Sequence, residues 1–304
     1  MHAHSRPSRP ANFDLLQNPF VVLGITPATS NEGVLEAFED ALADGIYSEN
    51  ELNDAKQLLL NPRLRLNAEL SFLLDTPIET ARGIYDRLRQ GARRSELRTI
   101  IDRLAPLSRI NLISHLANTE PCSSEHVVSY IAARHALSAE AIHSTITRLR
   151  KHAGIVSIEL SNVSDALHGL DDLHTKCLLH GFHSARDAAD AMRRCSEQIV
   201  LSATPEQVDI LESVLRAYSS LVNSELSELN EHITHNLIEI EAAERSVQEF
   251  NDLSNNLLSW NTIDEPLQIL AHFKGRDEPN ARALFDNIRS LAIRLANERG
   301  LTCH

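Results

Sequence analysis

Apolar residues recur every three or four positions along most of the chain, and this spacing places them on one face of an α-helix. Glycine and proline interrupt the pattern at intervals that give helices of ordinary length. One stretch, 154–160, is rich in β-branched residues, but seven residues are too few to build a sheet domain. The pattern therefore predicts an all-α fold.

Capping residues predict where the first helices begin and end. Ser30 can accept a hydrogen bond from the free amides of a helix that ends at Gly45. Ser48 and Glu51 have the spacing of a capping box, which opens a second helix that stops before Pro62. A third predicted helix runs from there to residues 75–77.

The longest regular pattern follows Thr204, Pro205 and Gln207, which together mark the start of a helix. Beyond this start, apolar residues recur at a mean spacing of about 3.5, which is typical of a coiled coil. They are Val208, Leu211, Leu215, Tyr218, Val222, Leu226, Leu229, Ile233, Leu237, Ile240, Ala243, Val247 and Phe250. Steps of four depart locally from a strict heptad, so we expect one long helix or two helices in an antiparallel hairpin.

Five of these residues form a candidate partner-binding seam, through which the chain recruits another protein or associates with itself. They are Leu226, Leu229, Ile233, Leu237 and Ile240. The expected mechanism is burial of the apolar stripe against a partner helix, while the acidic residues beside it select the partner.

Composition and charge narrow the class of function. With 29 Lys and Arg against 42 Asp and Glu, the formal net charge is -13, which disfavours attraction to nucleic acid or to anionic membranes. The four cysteines are scattered without a CxxC pair, as expected of reduced thiols in the cytoplasm. Since neither a signal-peptide core nor a long uncharged apolar run is found, we expect a cytoplasmic protein without a membrane span.

Breaks in the pattern divide the chain into five predicted segments. A mobile tail, 1–12, precedes a small helical domain, 13–80. A helical middle region, 81–203, leads to the acidic coiled-coil-type segment, 204–259, and a C-terminal helical unit, 260–304, follows. Within the middle region, residues 82–109 carry eight arginines against three acidic residues, a basic band suited either to solvation or to docking an acidic partner.

The stretch from Asn18 to Leu70 resembles a J domain. Residues 18–24, Asn-Pro-Phe-Val-Val-Leu-Gly, are similar to the opening of that family, and residues 61–63, Asn-Pro-Arg, stand where the family has its Asp-Pro-x-Arg corner. The C-terminal unit, around Trp260 and residues 288–292, is similar to a helical segment of larger bacterial J-like proteins. The resemblance implies a small helical domain at the N-terminus.

J domains engage an Hsp70 chaperone through a His-Pro-Asp loop and a basic face on the preceding helix. In this chain the corresponding loop, 43–48, contains neither His nor Pro. The helix before it carries Glu32, Glu36, Glu39 and Asp40 and no basic residue, so its charge has the wrong sign for that contact. The resemblance therefore implies a degenerate J domain that does not stimulate an Hsp70, with a divergent Hsp70 co-chaperone as the alternative.

Two other patterns contain residues suited to binding a ligand. His174, Cys177, His180 and His183 include donor types that zinc prefers, but steps of three rotate around a helix and do not converge. Residues 123–160 have the order of a helix-turn-helix with His143, Thr147, Arg150 and Lys151 on the second helix, which makes a DNA-binding regulator the second alternative.

The prediction from the sequence is a non-enzymatic J-like adaptor that acts through helical protein–protein contacts. No nucleophile elbow, phosphate-binding loop, dinucleotide fingerprint or metalloprotease motif is found. We accordingly expect no catalytic residues, no cofactor and no bound metal. The predicted partner is another protein, or a second copy of the chain, bound along the seam. If the chain is a divergent co-chaperone, the predicted partner is an Hsp70.

Overall fold

The computed structural model describes residues 13–202, 204–242 and 247–298, so the predicted tail at 1–12 lies outside the described residues. The described residues form an all-α protein, which confirms the predicted fold class. The stretch 154–160 forms no strand and leads into a helix at Leu160.

The described residues form α-helices joined mostly by short turns, after a 3-10 turn at Leu15–Gln17. The helices are α1 Pro19–Val22, α2 Asn31–Asp44, α3 Glu49–Leu60, α4 Pro62–Leu70, α5 Ile78–Arg89, α6 Arg94–Ile101, α7 Pro106–Thr119, α8 Ser124–His135, α9 Ala139–His152, α10 Leu160–His180, α11 Ala185–Ser202, α12 Pro205–Ala242, α13 Val247–Phe273 and α14 Pro279–Glu298.

The chain divides into two compact units, which do not follow the predicted segments. Among the described residues, the first unit contains 13–122 and 129–181, and the second contains 123–128 and the described residues between 182 and 298. The predicted domain 13–80 therefore shares a unit with most of the middle region. The predicted boundary between 259 and 260 lies inside α13.

The caps of α2 and α3 lie where the sequence predicts them. Ser30 Oγ accepts from Gly33 N–H at 3.1 Å, and Gly45 closes α2 with φ 66°. Ser48 and Glu51 form both hydrogen bonds of the capping box. Because a cap satisfies backbone groups of its own helix, local sequence is enough to place these ends.

Helix α4 is shorter than predicted, because its end is set by a distant side chain. The helix stops at Leu70 instead of continuing to residues 75–77. Asn111 Nδ2, on α7, donates to Leu70 O at 2.8 Å and to Phe72 O at 3.0 Å. These two bonds satisfy carbonyls at the end of the helix and allow the chain to turn away.

A cluster of buried aliphatic residues holds α4, α7, α9 and α10 together in the first unit. Its members are Leu66, Leu70, Leu74, Leu107, Ile142, Ile146, Val163 and Leu167. At about 25 cal/mol per Å² of buried apolar surface, such clusters supply most of the favourable free energy of folding. They also fix α9 against α4, where a buried charged network forms.

The network consists of Glu69 between two guanidinium groups, and all three side chains are almost fully buried. Arg65 Nε lies 3.2 Å from Glu69 Oε1, and Arg150 Nη2 lies 2.8 Å from Oε2. Arg65 also donates to Pro27 O at 3.0 Å and to Thr29 O at 2.8 Å. The network thus ties α9 and the α1–α2 connection to one carboxylate on α4.

In the second unit α12 and α13 form an antiparallel hairpin, the second of the two arrangements predicted for this region. Tyr218 Oη donates to Ile263 O at 2.7 Å, and Asn256 Nδ2 donates to Asn236 Oδ1 at 2.9 Å. Helix α11 packs on both hairpin helices. Arg294 of α14 pairs with Glu241 of α12 at 2.6 Å, so α14 lies along the same helix.

A carboxyl group without solvent contact lies where α13 meets the start of α14. Asp264 Oδ2 accepts from Gln268 Nε2 at 3.0 Å, whereas Oδ1 has no donor among the described residues. Burial raises the pKa of Asp264 to about 7, although the bond from Gln268 opposes the shift, and the nearby carboxylate of Glu278 raises it further. Glu278 caps α14 by accepting from Ala281 N–H at 2.7 Å.

We expect the second unit to be more stable at pH 5 than at pH 8. Because the pKa of Asp264 is raised above its unfolded value, this group contributes stability that is full below about pH 4 and is lost as the pH rises through about 7. The loss between pH 5 and pH 8 should be about 2 kcal/mol. Denaturant unfolding at the two pH values measures it.

The matched controls are two Asp-to-Asn variants. Asp264→Asn should remove this dependence, since a neutral amide replaces the titrating group. Asp209→Asn, at an exposed position of α12, should leave it unchanged. An equal pH dependence in the wild type and in Asp264→Asn would show that another group is responsible.

Candidate functional site

A solvent-open pocket of about 250 Å³ lies beside α5 in the first unit. Three aromatic rings line it. The centroid of Phe72 lies 5.8 Å from that of Phe20 and 5.7 Å from that of Tyr85. Tilted and edge-to-face rings at these distances attract each other, so the lining is a stable apolar surface.

The pocket is held open by bonds to the backbone and to the buried network. Tyr85 Oη accepts from Leu73 N–H at 3.3 Å, and burial raises the pKa of this phenol. The guanidinium of Arg65 lies 5.0 Å from the centre of the Phe20 ring. Gly24, with φ 67°, allows the turn in which Ile25 N–H donates to Phe20 O at 2.9 Å and places Ile25 at the pocket.

Arg82 and Arg89 line the pocket, seven residues apart on α5, together with Asp86 between them. Arg82 lies 3.4 Å from Glu79 and Arg89 lies 3.0 Å from Asp86. Exposed pairs of this kind contribute little to stability, so both guanidiniums can exchange these carboxylates for those of a ligand. Ile78, at the start of α5, completes the rim as an apolar side chain that is 38% exposed.

Besides the two arginines that line the pocket, others lie on α5, on α6 and in the turns beside them. Six of the eight arginines in residues 82–109 are exposed, namely Arg82, Arg87, Arg89, Arg93, Arg98 and Arg103. We call these six the basic face. The other two serve the fold, since Arg94 Nη2 donates to Ser129 Oγ at 3.0 Å and Arg109 Nε donates to Ile101 O at 3.0 Å.

Four arginines of the basic face carry uncompensated charge. Within the described parts of the chain, Arg87, Arg93, Arg98 and Arg103 have no carboxylate within the 4.0 Å of a salt bridge. In a protein with a formal net charge of -13, this concentration of free positive charge stands out. The surface is able to attract and orient an acidic ligand.

The candidate partner-binding seam packs inside its own chain. Leu226, Ile233 and Ile240 are buried, and Leu229 and Leu237 are half-buried, on the hairpin helix α12. In the folded protein the three buried side chains are therefore not available to a partner. Of the other predicted positions, Phe250 is largely exposed, Ala243 lies outside the described residues, and so does the side chain of Val247.

The histidine and cysteine candidates for a metal site do not come together. His174 and Cys177 are buried, whereas His180 and His183 are exposed. Within residues 13–202, 204–242 and 247–298, no group of three or more His, Cys, Asp or Glu side chains is placed to hold a metal ion. His174 instead lies edge-on to Phe13 at 4.7 Å, and burial lowers its pKa to about 3.

One basic side chain of the predicted DNA-binding helix is buried in the core. Arg150, predicted to face DNA, is buried against Glu69, with Nε at 2.9 Å from Oε2. His143 Nε2 lies 2.8 Å from Ile158 O and is half-buried. Thr147 is half-buried and Lys151 exposed, which leaves this helix a poor phosphate-binding surface.

The loop that corresponds to the J-domain signature connects α2 and α3 as Gly45–Ser48 with no histidine or proline. Glu32, Glu36, Glu39 and Asp40 are all exposed on α2. The acidic character that the sequence predicts for this helix is therefore a property of the folded surface as well.

Comparison of the chain with protein families, with curated proteins and with solved structures finds no match. Among the described residues, no helix combines the length and the apolar character needed to cross a bilayer.

Sequence reasoning identified the basic band but missed the pocket beside it. One signal was present, because Ile78, Arg82, Tyr85 and Arg89 share a helical face at steps of three and four. Phe20 and Phe72 come from distant parts of the chain, and only the packing of α1 and of the chain after α4 brings them to α5.

Proposed function

We propose that this chain is a non-enzymatic adaptor that binds an acidic partner protein through the basic face. The observation that carries the proposal is the set of free guanidiniums of Arg87, Arg93, Arg98 and Arg103 on the surface of an otherwise acidic protein. Opposite charge on a partner raises the association rate and selects against basic competitors.

Two further features support a role in protein binding. Two arginines of the basic face, Arg82 and Arg89, line a largely apolar pocket, and interfaces combine such apolar centres with a polar rim. The resemblance of residues 18–70 to a J domain points to the same kind of role, since J domains act by contacting other proteins. The seam of α12 is not part of the proposed interface, because its central residues pack within the hairpin.

Reversing the charge of the basic face should abolish capture of an acidic partner. We compare the wild type with the triple variant Arg87→Glu, Arg98→Glu, Arg103→Glu. The amount of an acidic protein that the wild type captures from native lysate should fall at least about tenfold in the variant. The loss should be largest at low ionic strength, because salt screens exposed charges. Quantitative mass spectrometry of the captured proteins measures it.

A matched control reverses three exposed arginines outside the basic face, Arg63, Arg148 and Arg186, and produces the same change in net charge. This control should capture the partner as the wild type does, and circular dichroism checks that both variants are folded. If the two triple variants behave alike, net charge and not the basic face determines binding, and the proposal fails.

A further inference from the structure

The pocket beside α5 has the chemistry to select one class of partner within the proposed function. We infer that it takes an apolar side chain of an acidic partner helix, while Arg82 and Arg89 pair with carboxylates on either side of that side chain. The inference rests on the proposed function, because it assumes that an acidic partner approaches the basic face.

The lining of the pocket recognises the apolar side chain of the partner, and the rim recognises its carboxylates. Phe20, Phe72 and Tyr85 form the floor of the pocket and are 0%, 5% and 5% exposed, so the accessible apolar edge is that of Ile78, which is 38% exposed. Such a lining favours a leucine-sized or larger apolar side chain and gives a buried carboxylate no compensating donor. The carboxylates of the partner must therefore remain at the rim, where the two guanidiniums are.

The spacing of the rim arginines indicates a helical partner. Arg82 and Arg89 are seven residues apart on α5, which corresponds to about 10.5 Å along the helix axis. A partner helix laid along α5 presents the same separation when two of its acidic residues are also seven apart. A residue three or four positions after the first carboxylate then projects between them, at the mouth of the pocket.

Charge complementarity favours a protein helix over the other ligands that a basic surface attracts. Arg82 and Arg89 each have an acidic neighbour on α5, Glu79 and Asp86, which lowers the local charge at the pocket. A polyphosphate ligand gains less here than at the uncompensated arginines, and it leaves the apolar lining unfilled. An apolar anchor between carboxylates uses both parts of the site.

Three synthetic helical peptides test the inference on the full chain. The first carries one leucine midway between two glutamates that are seven residues apart. The second replaces that leucine by serine, and the third replaces the glutamates by lysines. We expect the first peptide to bind about tenfold more tightly than the second, as burial of a leucine side chain against its truncated form implies. The third should not bind detectably.

Substitutions in the protein assign the effect to the pocket. Ile78→Ser should weaken binding of the leucine peptide by about fivefold to tenfold and leave the serine peptide unchanged, because the substitution removes only the apolar contact. Ile46→Ser is the matched control, since Ile46 is 78% exposed in the α2–α3 loop and does not line the pocket. It should change neither affinity.

The outcomes separate this inference from the proposed function. Equal binding of the leucine and serine peptides, with loss of both in the Arg87, Arg98 and Arg103 variant, would overturn the pocket and retain the basic face. Binding of neither acidic peptide would overturn the inference outright. Duplex DNA that competes as well as the leucine peptide would assign the surface to a different class of ligand and would also overturn it.

Discussion

Replacing Glu69 by alanine is expected to lower the free energy of unfolding of the first unit by about 3–5 kcal/mol. The substitution removes the carboxylate that pairs with both Arg65 and Arg150 and leaves two like charges buried side by side. Both guanidiniums keep bonds to carbonyl oxygens, such as Pro27 O and Pro62 O, but these bonds do not neutralise charge. Urea denaturation followed by circular dichroism measures the loss.

Two comparisons make the test specific to the network. Glu36→Ala, on the exposed face of α2, should change stability by no more than about 0.5 kcal/mol. The triple variant Arg65→Met, Glu69→Leu, Arg150→Met should be more stable than Glu69→Ala, because it removes every charge at once. If Glu69→Ala were as stable as the wild type, water would have to reach the network and screen its charges.

Loss of the network should also affect the candidate pocket. The guanidinium of Arg65 lies 5.0 Å from the centre of the Phe20 ring, which itself contacts Phe72, so the position of Arg65 supports the aromatic lining. The folded fraction of the Glu69→Ala variant, measured without denaturant, is therefore expected to bind the leucine peptide more weakly than the wild type. The stability of the first unit and the proposed recognition share this element.

Local features of the fold were predictable from the sequence, whereas features that depend on distant contacts were not. The caps at Ser30 and Ser48 are encoded within four residues, and the period of 208–240 reports the buried face of α12 directly. The end of α4 is set by Asn111, which lies about forty residues further along the chain, and no local pattern signals it.

The unbroken course of α13 is a second feature that depends on distant contacts and was not predicted from the sequence. Residues 251–256 contain three asparagines, which weaken the apolar period, and the sequence therefore predicts a new segment from Trp260. In the folded chain Asn256 bonds Asn236 across the hairpin, and Trp260 and Ile263 are buried, so packing carries the helix through this region. Pro266 also lies inside this helix.

The candidate site was predictable only in part, for a related reason. Charge is visible in composition, so the arginines of 82–109 identify the basic face without any knowledge of the fold. Arg150 also reads as a surface base in the sequence, because burial of a charge is decided by whether a partner such as Glu69 is nearby. That proximity depends on how α4 and α9 pack.

Replacing Ile233 by aspartate is expected to destabilise the second unit by more than about 4 kcal/mol. The side chain is fully buried on α12, so the variant loses the apolar contacts of isoleucine and buries a carboxylate without a partner. Hydrogen exchange of the full chain should show loss of protection in α12 and α13. Denaturant unfolding gives the size of the effect.

Leu258→Asp is the matched control, because Leu258 lies on the other hairpin helix and is 62% exposed. It should change stability by no more than about 0.5 kcal/mol. If Ile233→Asp instead kept full protection and lost only association with another molecule, the seam would be an intermolecular surface, as first predicted from its period. Burial of Ile233 in the isolated chain is the physical reason to expect the opposite, because a side chain already packed within its own hairpin adds no apolar surface to a partner.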